Sequence, residues 1–181
     1  MPTHPGSLLI LTGPPGAGKS TVARLVTANA PRTTVHLHTD SFYVWIRTGF
    51  VPPYLPEAAG QNEVVLGVIA EAACGYARGG YDVLLDGVIG PWALEPFRDA
   101  AKRDGLDLFY VVLRPSLEAT LARGTARAGG ELTEVEPITG MHGAFAALGE
   151  LEPNVIDTTD QTIEETADAV RNHARSPAFA L

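Results

Sequence analysis

The chain has 181 residues, 45% of them hydrophobic and 19% charged, with a formal net charge of −8 and one cysteine, Cys74. This composition is long enough for a full core, most simply in one domain. It excludes pervasive disorder, an intrachain disulfide and a broad basic surface for nucleic acid or anionic lipid. Residues 1–7 lack the basic region of a signal peptide and no stretch is apolar enough to span a membrane, so a reducing, cytoplasmic location is expected.

In chain order, the apolar run Leu8-Leu9-Ile10-Leu11 predicts a buried strand. Gly13-Pro14-Pro15-Gly16-Ala17-Gly18-Lys19-Ser20 follows, with Thr21 next, and it fits G-x-x-x-x-G-K-[ST] at every fixed position. Val22, Ala23, Leu25 and Val26 then recur at helical spacing. Strand, glycine-rich turn and helix start are the context in which backbone N–H groups curl around phosphate oxygens, aided by the positive end of the helix. Lys19 is placed to reach the β- and γ-phosphates and Ser20 to ligate Mg²⁺. Only Lys19 and Lys102 are lysines among 13 basic residues, which makes the ammonium at position 19 informative.

Thr33 to Thr39 predicts a second strand ending at Asp40, and Ser41 to Thr48 a short helix closed by Gly49. Residues 50–56 hold three prolines, which forbid regular structure and suit a stiff wall over a site. A long helix is expected over Gln61 to Ala77, a third strand over Tyr81 to Asp86, and a helix over Trp92 to Arg103. A fourth strand follows over Leu106 to Leu113 and a helix from Leu117 to Arg123. Residues 124–137 read as a mobile lid framed by Arg123 and Arg127, with a solvated acidic cluster of Glu131, Glu134 and Glu136. A helix over Met141 to Leu148, a short strand at Val155 to Asp157, a final helix capped from Asp160 and a loose tail over 176–181 complete the chain. Strands alternating with helices imply a parallel α/β sheet covered on both faces, its ligand at the carboxyl ends where Ser20, Asp40 and Asp86 fall.

Phosphoryl transfer requires positioning and charge neutralisation. Asp86 ends an apolar strand in the manner of a metal-holding acid, leaving Asp40 as the better base for an acceptor hydroxyl, and the sequence leaves open which of the two is the base. Each has an alternative as a capping carboxylate. Arg47, seven residues past Asp40, returns to within about 20° of its direction if residues 41–48 are helical, and would clamp a polar acceptor group; a solvated helix end is the alternative. Tyr43, Trp45, Tyr54 and Trp92 are candidate acceptor walls, though such aromatics are more often core. Arg123 and Arg127, four apart, project from one helical face toward the phosphates or into solvent. Arg114 is a weaker candidate. His36 and His38 share one strand face, but no third ligand of comparable quality lies nearby in sequence, so a metal site there is not expected.

These residues resemble the small P-loop phosphotransferases related to nucleoside monophosphate kinases, shikimate and gluconate kinases, chloramphenicol phosphotransferase and zeta-toxin-like kinases. The likeness rests on Gly13 to Ser20, His38-Thr39-Asp40-Ser41, Leu84-Leu85-Asp86-Gly87 and the arginine-framed lid, and it is nearest to chloramphenicol-phosphotransferase-like proteins. It implies a three-layer α/β/α fold with a five-stranded parallel sheet in order 2-3-1-4-5, ATP with Mg²⁺, and an acceptor beside Asp40. It further implies that Lys19, Arg123 and Arg127 stabilise the transferred phosphoryl, with adenine near Arg123 and the turn from Thr158 to Gln161. There is no shikimate-type triple glycine after strand 3 and one clear arginine on the acceptor side, so no known acceptor carries over.

The function expected is ATP-dependent transfer of phosphate to a hydroxyl of a small metabolite or antibiotic-like molecule by a monomer or homodimer, with neither nucleic acid nor membrane as partner. The competing expectation is a regulatory or NTP-hydrolysing P-loop protein without a small-molecule acceptor. No asparagine starts the guanine-reading N-K-x-D, which counts against a GTPase switch.

Overall fold

A computed structural model describes residues 4–126, 132–174, 176 and 179–181. Five strands, β1 (Leu8–Thr12), β2 (Thr34–His38), β3 (Asp82–Asp86), β4 (Leu108–Leu113) and β5 (Val155–Ile156), form one parallel sheet in the order β2-β3-β1-β4-β5. β1 is buried at every residue, and its side chains divide by strand periodicity between two cores. Leu8 and Ile10 join Val83, Leu85, Tyr110 and Val112 under α3 (Ala59–Arg78) and α4 (Glu95–Asp104). Leu9 and Leu11 join Leu84, Val111 and Leu113 under α1 (Lys19–Ala28) and α7 (Ile163–His173). The sheet is therefore covered on both faces, and its carboxyl edge is left for the loops.

Several elements differ from the sequence reading. α2 spans only Asp40–Tyr43, because Val44-Trp45-Ile46 is a β-branched and aromatic run with poor helix propensity. The helix expected at Met141 begins earlier, as α6 (Val135–Ala144), with Pro137 inside its first turn, where a missing N–H costs nothing. Lid residues 135–137 are thus helical, and residues 127–131 lie outside the described set. α7 is capped by Thr162 rather than Asp160: the Glu165 N–H donates to Thr162 Oγ1 at 3.2 Å while the Thr162 N–H donates to Glu165 Oε2 at 2.9 Å. The chain end, expected to be loose, returns to the sheet: Ala180 bridges Phe109 and the Leu181 N–H donates to Leu108 O at 2.9 Å. Among the described residues no helix is long and apolar enough to cross a membrane.

Arg114 ties the exit of β4 to the segment before β5. Its guanidinium donates to both Glu152 oxygens, at 3.0 and 2.9 Å, and to Phe145 O at 2.9 Å. These bonds from Arg114, with one from the Leu148 N–H, hold the Glu152 carboxyl below its ordinary range. A depressed carboxylate stabilises the fold above its unfolded-state pKa, and the contribution is lost as pH falls through the folded-state value. Glu152→Gln is expected to lower the melting temperature modestly at neutral pH, with the gap to the parent protein closing in acid. Differential scanning fluorimetry across pH reads this directly, and a gap that is constant with pH would count against it.

Candidate active site

The phosphate loop is a backbone object set by glycines. Gly13 has φ 142°, and a Cβ there would lie 2.1 Å from Leu113 O. Gly16 has φ 91°, and its Cβ would lie 2.4 Å from Thr120 O, where α5 (Leu117–Thr125) packs against the loop. Both positions thus combine a left-handed or extended-positive backbone with a close backbone approach that no side chain permits. Gly16→Ala is expected to weaken nucleotide binding by about tenfold or more through loop displacement, the left-handed backbone alone costing about 1–2 kcal/mol. Unchanged affinity by calorimetry would show that the loop tolerates the shift.

α1 begins at Lys19 after a left-handed Gly18, with no side-chain cap and no acidic residue in its first turn. Its positive end is therefore uncompensated by the chain itself, as an anion site requires. Lys19 is 7% exposed, and its Nζ donates to Gly13 O and Pro14 O, both at 3.0 Å. The ammonium is held across the mouth of the loop. Pro15 and Ala17 are buried in the loop wall, and Thr21 is exposed on the first turn of α1.

Asp86 sits at the carboxyl end of β3 and is fully buried. Parallel pairing sets His38 of β2 directly opposite it and His36 one pleat earlier. His36 Nε2 lies 3.0 Å from Asp86 Oδ2. His38 Nε2 lies 3.6 Å from Asp86 Oδ1 and 3.3 Å from Ser20 Oγ. Burial works to raise the Asp86 pKa, but the His36 hydrogen bond, both imidazoles and the Ser20 hydroxyl outweigh it and hold the carboxyl below its ordinary range. The group is an anion. Oδ1 makes no hydrogen bond of normal geometry among the described residues, so a buried carboxylate oxygen faces Ser20 and His38 with capacity unused. The H-x-H pair thus does meet a partner, which sequence distance had hidden, since Asp86 comes 50 residues after His36.

Past the end of β2, Asp40 is the first residue of α2 and is exposed, with no side-chain hydrogen bond or ion pair among the described residues. It lies one residue beyond Thr39, whose N–H donates to Asp86 O at 2.9 Å, so the two acids are neighbours across β2 and β3. Burial, and then the charge of Asp40, raise the pKa of Tyr43, the last residue of the same short helix. Arg47 is not on α2: it is exposed in the following loop, and the helical alignment with Asp40 does not exist. Trp45, Tyr54 and Trp92 are exposed rather than core, at 67%, 48% and 61%. The proline loop is pinned to α3 by amides that sequence reading passed over. The Val51 N–H donates to Gln61 Oε1 at 3.0 Å, Gln61 Nε2 donates to Val51 O at 2.7 Å, and Asn62 Nδ2 donates to Pro53 O at 2.8 Å.

Arg123, at the end of α5, donates from Nη2 to Thr158 O and Thr159 O at 3.2 and 3.0 Å. Its guanidinium joins the turn after β5 rather than the phosphate loop. Arg127 lies outside the described residues.

A family model described as an AAA domain matches residues 8–148, from β1 through the segment that follows α6. The chain belongs to the AAA domain family. Curated proteins compared by sequence give no match. Among solved structures, the tunicamycin resistance protein of Deinococcus radiodurans is similar to this AAA domain with a TM-score of 0.70 at 18% identity, covering 94% of this chain and 96% of that one. A sugar kinase from Janibacter sp. HTCC2649 gives 0.68 at 18% identity over 98% and 99% of the two chains. The Mycobacterium tuberculosis APS kinase, solved in complex with AMPPNP and APS, gives 0.63 at 22% identity over 96% and 99%. The fold is thus that of the P-loop kinases.

Whether this AAA domain suits a divalent ion is answered by its donors. Among the described residues no three His, Cys, Asp or Glu side chains form a cation site by themselves. The orphaned Asp86 Oδ1 and the Ser20 hydroxyl are nevertheless hard oxygen donors at the phosphate loop, and they fit Mg²⁺.

Proposed function

We propose that this AAA domain is an ATP- and Mg²⁺-dependent phosphotransferase that moves the γ-phosphate to a hydroxyl of a small molecule. The observation that carries the reading is the exposed Asp40, without a side-chain hydrogen bond or ion pair among the described residues, one residue past Thr39, whose backbone pairs with that of the buried Asp86 at the carboxyl edge of the sheet. Loop amides and the first turn of α1 bind the phosphates, and Lys19 exchanges its two carbonyl partners for phosphate oxygens. Ser20 and Asp86 hold the Mg²⁺, which when bound neutralises charge on the phosphates. Asp40 takes the proton of the acceptor hydroxyl as its oxygen forms the new bond to phosphorus and the bond from the γ-phosphorus to the bridging oxygen breaks, the electron pair leaving with ADP.

The acceptor is a metabolite or antibiotic-like alcohol, with Tyr43 and the exposed Trp45 and Tyr54 as its candidate walls. The net charge of −8 favours neither nucleic acid nor membrane as partner. The same reading includes cytoplasmic action as a monomer or homodimer. Arg123 and Arg127 neutralise the transferred group in this scheme only if Arg123 leaves the turn at Thr158 and Thr159 when nucleotide binds.

ADP release is to be measured with and without a panel of sugar, polyol and aromatic hydroxyl compounds. Release that requires one acceptor class is expected. Release indifferent to every acceptor would make the protein a hydrolase and overturn the transfer reading.

A further inference from the structure

Within the ion site just proposed, and resting on that reading, a third donor is in place. We propose that His38 supplies an imidazole nitrogen to the ion held by Ser20 and Asp86, so that the site prefers transition-series divalent ions such as Mn²⁺ and Co²⁺ over Mg²⁺.

Three observations converge. The register of β2 on β3 puts His38 opposite Asp86, so the imidazole is delivered by sheet pairing rather than by a movable loop. Its Nε2 stands 3.3 Å from Ser20 Oγ and 3.6 Å from Asp86 Oδ1. Donors bound about 2.1 Å from one ion are separated by about 3.0 Å in an octahedral shell and about 3.4 Å in a tetrahedral one. The two separations from His38 Nε2 thus lie within about 0.2 Å of the tetrahedral spacing and about 0.3–0.6 Å above the octahedral one.

The second observation is the carboxylate itself. The Asp86 side chain is 1% exposed, and its Oδ1, the oxygen on the His38 side, has no hydrogen bond among the described residues. With His38 Nε2 no nearer than 3.6 Å, this buried carboxylate oxygen is incompletely satisfied, and a cation would restore the solvation it has lost.

The third is His36. Its Nε2 engages Asp86 Oδ2 at 3.0 Å, which orients the carboxylate and leaves Oδ1 on the side of His38. A second group that orients a ligand in this way is a regular part of metal sites. His38 is 41% exposed at its side chain, so the remaining coordination positions open toward solvent and the phosphate loop, where phosphate oxygens and water complete the shell. An all-oxygen set suits Mg²⁺, whereas an imidazole nitrogen adds affinity along the first-row series, least for Mn²⁺ and more for Co²⁺, and little for Mg²⁺.

The test uses Mn²⁺ as probe on the full chain with a non-hydrolysable ATP analogue. Pulsed EPR is expected to show ¹⁴N coupling from one directly bound imidazole, retained in His36→Gln and lost in His38→Gln. In parallel, competition of Mg²⁺ against bound Mn²⁺ is expected to show the preference for Mn²⁺ falling by about 10–100-fold in His38→Gln, while Mg²⁺ affinity changes little. Analogue binding with no imidazole coupling in the parent chain, or coupling unchanged in His38→Gln, overturns the proposal. Repeating the measurement with Mn²⁺ alone separates the two readings. Imidazole coupling without analogue binding would keep the ion site and sink the kinase, whereas the absence of both would sink both.

Discussion

Lys19→Ala is expected to abolish measurable Mg-nucleotide affinity, a loss of about 10²–10³-fold or more, while the protein remains folded. In the free protein the ammonium occupies two loop carbonyls at 3.0 Å each, and it is almost wholly buried. Those bonds shape the loop but are exchangeable, because a triphosphate offers the same cation stronger, charged acceptors. Charged hydrogen bonds contribute about 1.5–3 kcal/mol each, so losing the contacts to two phosphates gives the magnitude stated. Lys19→Arg is expected to rescue little, since a planar guanidinium is broader than the ammonium that Gly13 O and Pro14 O hold in a nearly closed loop. Isothermal titration with a non-hydrolysable ATP analogue measures the effect, and thermal melts followed by circular dichroism confirm folding. Equal affinity in Lys19→Ala would remove the nucleotide from the reading altogether.

What sequence revealed of this site was local. The strand, glycine turn and helix from Leu8 to Ala28 follow from neighbours in the chain, and so does the position of Asp86 at the end of an apolar strand. The strand order came from resemblance, since periodicity says which segments are strands and nothing about which lie side by side. The partners of Asp86 were hidden for the same reason: β2 and β3 meet in the sheet although α3 separates them in sequence. The expected alignment of Arg47 with Asp40 is absent because the helix stops at Tyr43, and an angular argument holds only as far as the helix continues. Arg123 was placed on the correct helix, yet its direction depended on two carbonyls after β5, which no helical wheel contains. The proline loop was legible as irregular, but its anchoring by Gln61 and Asn62 was not, since an amide side chain gives no signal of which backbone it will meet.

Asp40→Asn is expected to lower turnover by about 10²–10⁴-fold with nucleotide affinity unchanged. The substitution keeps the size of the side chain and a residue suited to a helix start, so α2 should still begin where it does. What it removes is the capacity to take a proton. In the structure that carboxylate is exposed, makes no hydrogen bond or ion pair among the described residues and shares its short helix with the half-buried Tyr43. A carboxylate present only to start the helix would be at home there too, and the two roles separate in kinetics. Loss of the base lowers kcat and kcat/KM together for the acceptor and leaves the nucleotide Kd alone. Loss of a helix start lowers thermal stability and disturbs Tyr43 without that selectivity. Asp86→Asn provides the contrast, because it is buried against His36 and His38 and its replacement is expected to weaken ion and nucleotide binding together. Should Asp40→Asn keep full turnover while Asp86→Asn loses it with nucleotide still bound, the proton passes to Asp86, and the acceptor must be seated deeper, over the end of β3.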